Sequence, residues 1–188
     1  MKHKFKYICY DAKALLEDVD TLSKWMNRVN KQSEEDHGKG WTSKDYKGMA
    51  FESLVEVLIN CSPVDKRINI IEYRPHSAKL HGPDVGIDGY GKNMQDKPAR
   101  AQCKFVNNIL RDLTTQDSIS NFVANALSNP TTTDADLIIF TTAKDLNQWL
   151  NEKMYHNRVR TFGYNELKQL IDGNSAFWQA YRTQMGIK

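Results

Sequence analysis

Three side chains in one short stretch have the types and spacing for phosphate chemistry. The stretch GPDVGIDGYGKNMQDKPARAQCK runs from Gly82 to Lys104 and holds Asp88, Gln102 and Lys104. Val85 to Tyr90 is a short apolar run with Asp88 at its centre and glycines on both sides. Ala99 to Val106 alternates with period two. A strand there carries Ala101, Cys103 and Phe105 on one face, and Gln102 and Lys104 on the other. If the two runs pair as neighbours, Asp88 converges on Gln102 and Lys104. That arrangement would make an oxygen-rich pocket for a hard cation beside a fixed positive charge. Cys103 lies on the apolar face, where packing is its expected role.

The elements that must hold this stretch can be read on either side of it. Asp45 to Asn60 predicts a helix whose apolar stripe centres on Phe51, with Leu54, Val55 and Leu58 following at i+3, i+4 and i+7. Glu52 falls on the border of that stripe and Glu56 further out. A border carboxylate is half-buried and needs a partner, unless it is an ordinary boundary glutamate. Ile68 to Arg74 is β-rich and predicts the first strand. Pro75 to Gly82 reads as a turn carrying His76 and His81, whose expected contacts are phosphate or solvent, since a hard cation prefers oxygen. Asp84 precedes the apolar run and is not chosen as the principal ligand, whereas Asp88 lies inside it.

Beyond the QCK strand, Thr114 or Thr115 can cap a helix with Ile119, Phe122, Val123, Ala126 and Leu127 on one stripe. Asp136 to Thr142 is a continuous apolar run, the mark of a strand covered on both faces. A helix around Leu146, Trp149, Leu150 and Met154 follows, then a strand over Arg158 to Phe162 and a helix over Tyr164 to Ile171. Phe177, Trp178 and Tyr181 predict a last helix packed on the domain. At the other end, residues 11–31 read as one amphipathic helix through Leu15, Val19, Leu22, Met26 and Val29. The polar SEEDHGKG segment after it reads as a linker, with Glu34, Glu35, Asp36 and His37 solvated. The expected organisation is a helical arm with its linker over 1–40 and one α/β domain over 41–188, a central mixed sheet flanked by helices. The arm can pack on a second copy or fold back on its own domain.

A glutamate helix, GIDG, QCK, a helix and a buried strand, in that order, resemble the PD-(D/E)XK nuclease superfamily. The likeness is to its Mrr-like restriction-endonuclease branch and covers about residues 47–171. It implies a restriction-endonuclease-like core. It also implies Mg²⁺, with Mn²⁺ able to substitute, held by Asp88, Gln102 and the backbone carbonyl of Cys103, with Glu52 completing the site. Lys104 would act beside the scissile phosphate. Gln102 departs from the glutamate of many relatives, which removes one negative charge and should loosen metal binding. The implied function is a Mg²⁺-dependent DNA endonuclease, restriction-like or acting on phage or mobile DNA. The same core serves a structure-specific junction or repair nuclease, and a non-cleaving nucleic-acid-binding module would keep the fold. An ion pair of Asp88 with Lys104 is the plain structural reading of the motif. Cleaving both strands in one event needs two centres, hence a homodimer. With no zinc-finger pattern, recognition would fall to loops, the arm or an accessory protein.

Composition bounds these readings. A net charge of +3 says little about nucleic acid, but its distribution says more. From Lys66 to Arg111 nine Lys and Arg stand against four Asp and Glu, and from Lys97 to Arg111 four basic residues occur with no acid. Lys97, Arg100 and Arg111, with His81, are therefore expected on a DNA-binding face, the alternative for each being a solvated surface. Cys9, Cys61 and Cys103 lack CxxC spacing, which fits a reducing, cytoplasmic setting. No run approaches the length of a membrane span, and MKHKFKYICY lacks a signal-peptide core.

Overall fold

The computed structural model describes residues 12–35, 42–61, 67–76, 86–128 and 133–187. By its internal contacts the chain divides into two units, residues 1–62 with 168–188, and residues 63–167. The boundary expected after residue 40 falls inside the first of these. In chain order the elements are α1 (Ala12–Leu16), α2 (Leu22–Ser33), α3 (Ser43–Cys61), β1 (Ile71–Pro75), β2 (Gly89–Lys92) and β3 (Pro98–Lys104). Then come α4 (Ile119–Ala126), β4 (Asp136–Thr141), α5 (Gln148–Lys153), β5 (Val159–Phe162), α6 (Tyr164–Ile171) and α7 (Ser175–Gln184).

The single helix expected over 11–31 is two helices. Asp18 takes a left-handed backbone at φ 56°, and Thr21 restarts the helix by accepting the Lys24 N–H on its hydroxyl. Aspartate is among the few residues that tolerate that conformation, and threonine is a good N-cap. The apolar stripe survives the break, because Leu15, Val19, Leu22, Met26 and Val29 are all buried. It is used within the chain. Trp25 is buried with its ring 6.2 Å from that of Phe51, and Arg182 on α7 donates to the carbonyls of Leu16 and Val19.

Helix α3 is enclosed in its C-terminal half. From Ala50 to Ile59 every residue but Glu52 is buried, so the one-sided stripe read from sequence understates its surroundings. Ser53 shares a 2.7 Å hydrogen bond with the Tyr181 hydroxyl, and Tyr46 donates to Gln32 on α2. Glu56, expected to point outward, is only 5% exposed. Its carboxyl is pushed above the ordinary glutamate value by that burial.

The second unit is α/β, built on an open five-stranded mixed sheet in the order β1-β2-β3-β4-β5. Strands β1, β2 and β3 form an antiparallel meander, whereas β4 and β5 run parallel to β3. Parallel neighbours need crossovers, and α4 and α5 occupy them. Leu137 and Ile139 of β4 join Ile119 and Phe122 of α4 in the core on that side. Before α4, Thr114 caps a single 3₁₀ turn, Thr115–Asp117, in a capping box. Two expectations fail in detail. The first strand begins later, at Ile71, and of the stripe expected around α5 only Leu150 is buried within the helix. With six residues α5 presents barely one face inward, which leaves Trp149 61% and Met154 46% exposed. Leu146 lies before the helix, in an isolated bridge to Leu113. No described helix is long and apolar enough to cross a membrane.

Candidate metal and phosphate site

Strand β3 is the central strand of the sheet, and both neighbours fix its register. Ala101 pairs with Gly89 on one side and with Ile138 on the other. Its small residues Ala99 and Ala101, with Cys103, are buried on one face, as the alternation predicted. Gln102, on the opposite face, is also buried, at 1% exposure. It pairs with Ile139 of β4, so it lies on the side that α4 covers. Lys104, two residues on, shares that face at the strand's end and is half-buried.

Asp88 stands just before β2, not within it, yet it is tied to β3. Its N–H donates to the Ala101 carbonyl at 2.9 Å, and its own carbonyl accepts from His76 N–H at 2.8 Å. Its carboxylate Oδ2 accepts the Cys103 N–H at 2.6 Å. Strand N–H groups lie in the sheet, so this carboxylate sits at the seam between β2 and β3, where the ladder would otherwise continue. A second tie runs the other way. Gln102 Nε2 donates to the Gly86 carbonyl at 3.0 Å. The GIDG glycines thereby acquire definite uses. Gly86 takes φ 81°, and a Cβ on Gly89 would come within 2.2 Å of the Tyr73 ring. Asp88 thus meets Cys103 through its amide N–H, a different group from the Cys103 carbonyl expected as a metal ligand.

Lys104 makes no ion pair or hydrogen bond through its ammonium among the described residues, and the plain ion pair with Asp88 is not formed. Its backbone is held instead. The Lys104 carbonyl accepts from the Thr141 hydroxyl at 2.9 Å and from Thr142 N–H at 3.2 Å. The Thr142 hydroxyl bonds both the N–H and the carbonyl of Val106, at 2.6 and 2.7 Å. These hydroxyls carry the pairing past the end of the strands and fix where Lys104 emerges. Sequence reasoning missed them; the Thr-Thr pair closing the apolar β4 run was the available signal.

The cations expected on a DNA-binding face differ in their freedom. Arg100 lies half-buried over the Tyr90 ring, 5.0 Å from its centroid, and donates to the Ala99 carbonyl at 2.9 Å. Burial lowers its guanidinium below the ordinary arginine value. Lys97 pairs with Asp134 at 3.4 Å in solvent. Arg111 is committed to Asp117 by two bonds of 2.9 and 2.7 Å, an intramolecular fork that takes up its recognition edge. Glu52 is half-buried on α3 and belongs to the first unit. His81 and Asp84 lie outside the described residues, as do Cys9, Asp36 and His37.

The structure therefore ties Asp88 to Cys103, and Gln102 to the Gly86 turn before Asp88, with Lys104 on the same face of β3 as Gln102. Gln102 Oε1 is buried and accepts no hydrogen bond among the described residues. Among those residues no group of three or more His, Cys, Asp or Glu is placed to hold a metal. One carboxylate and one amide oxygen nevertheless suit a hard cation that keeps most of its water, as Mg²⁺ does. Compared with protein-family models, curated proteins and solved structures, the chain matches none.

Proposed function

We propose that the chain is a Mg²⁺-dependent DNA endonuclease with a restriction-endonuclease-like core in its sheet unit. The observation that carries this reading is the double tie at the seam. Asp88 is held on the Cys103 amide, and next to Cys103 in sequence Gln102 has a buried oxygen that, among the described residues, has no partner. Lys104 leaves the same strand with its ammonium unengaged among those residues. Asp88 and Gln102 Oε1 would hold Mg²⁺ or Mn²⁺. When bound, such an ion supplies a water of lowered pKa and charge neutralisation at phosphoryl oxygens. Lys104 places a fixed positive charge at the scissile phosphate, where negative charge grows in the transition state. Arg100, stacked on Tyr90 and lacking a carboxylate partner among the described residues, is suited to a neighbouring phosphate. Cutting both strands would take two copies of the chain.

A second reading is favoured by the sparse donor set. A single carboxylate at the seam among the described residues, with glutamine in place of an acid, also suits a nucleic-acid-binding module of the same fold that does not cleave. Purified protein incubated with supercoiled plasmid, with and without Mg²⁺ and beside Lys104→Ala, separates the two. Metal-dependent nicked or linear product that Lys104→Ala loses supports the endonuclease. Plasmid binding without cleavage, with or without Mg²⁺, selects the binding module.

A further inference from the structure

We infer that Gln102 is a positioning residue that uses both ends of its amide, and that this site requires glutamine rather than glutamate. The inference deepens the reading above, and its metal half rests on that reading. At one end Nε2 donates to the Gly86 carbonyl at 3.0 Å. That carbonyl belongs to the left-handed turn two residues before Asp88, so the bond fixes the approach of the segment that carries the site's carboxylate. At the other end Oε1 is buried and has no donor among the described residues, in a side chain only 1% exposed. A buried acceptor left without a partner is costly, and this amide oxygen is a place for a cation or its water to supply what is missing.

An amide can do both because it is a donor at one end and an acceptor at the other. A carboxylate is acceptor-only. A glutamate at position 102 would turn one oxygen toward the Gly86 carbonyl, and the tie would become a repulsion. The missing acid of the motif is thus replaced by the one side chain of the same length that can bind the turn and still offer an oxygen.

The test uses the full-length chain at neutral pH, with Gln102→Glu and Gln102→Met, read first as thermal midpoints without divalent ions. Wild type should be highest, Gln102→Met lower through the lost tie, and Gln102→Glu lowest. A Gln102→Glu protein as stable as wild type overturns the inference. Should that variant not fold, a Gln102→Met protein with an unchanged midpoint overturns it instead. Mg²⁺ is then titrated by calorimetry. Wild type should bind, and Gln102→Met should bind roughly tenfold or more weakly, as expected when a group that holds or orients a ligand is lost. Binding unchanged in Gln102→Met overturns the metal half alone. If wild type binds neither Mg²⁺ nor Mn²⁺ while the midpoints keep their order, the nuclease reading falls and the tie stands.

Discussion

Glu56 is a carboxylate on a helix face where the chain gives it no cation and no hydrogen bond among the described residues. Desolvation alone raises its pKa, so its folded value lies above its unfolded one. A group shifted in that direction contributes its stability below the unfolded pKa and loses it as pH rises through the folded value. Glu56→Gln should therefore match wild type in acid and exceed it at neutral pH, by on the order of 1 kcal/mol, the scale of an unsatisfied buried polar group. Thermal melts from pH 4 to 8 would show the gap opening. At the seam, the opposite kind of residue is at stake. Lys104→Ala should leave the thermal midpoint nearly unchanged, since the ammonium makes no ion pair or hydrogen bond among the described residues. On the proposed endonuclease reading it should lower plasmid cleavage by roughly 10²–10³-fold, the range for removing one group that stabilises transition-state charge.

Among the elements, the 3₁₀ turn ahead of α4 is the best defined by its own side chains. Asp117 receives both Arg111 nitrogens and the Thr114 N–H. The Arg111 bond, ahead of the Thr114 bonds, holds its carboxyl below the ordinary aspartate value. A lowered folded pKa contributes stability above the unfolded value and loses it as pH falls through the folded one. Asp117→Asn should accordingly cost roughly 1.5–3 kcal/mol at neutral pH and much less in acid, as measured by denaturant melts. The same pair explains why Arg111 is a poor guide to a DNA-binding face. A strip of positive charge is visible in a sequence, but an acid six residues downstream that closes on one of its members is not. Elements with an unbroken period were legible for the converse reason. The alternation of β3, the apolar run of β4 and the stripe of α4 each answer to one geometry. The all-round burial of α3 was not legible, because it depends on which helices surround it, and α7 follows more than a hundred residues later. At the site, Asp88, Gln102 and Lys104 could be picked from their types, whereas the ties to Cys103 N–H and Gly86 are backbone contacts that no side-chain pattern announces.

For the molecule as a whole, the first helices are part of a core and not a free arm. Trp25 is fully buried, so Trp25→Ala should cost roughly 3–5 kcal/mol in denaturant unfolding. If the stripe instead joined two copies, the loss would appear as a dissociation that depends on protein concentration. The division of the chain has another consequence. The sheet unit is one continuous stretch, residues 63–167, whereas the helical unit is made from segments on either side of it. Ser53 waits for Tyr181, and the carbonyls of Leu16 and Val19 wait for Arg182. On a ribosome the helical unit is thus the first begun and the last finished. Its early helices must emerge, and keep Trp25, Phe51 and Leu54 from other surfaces, throughout the synthesis of everything that lies between.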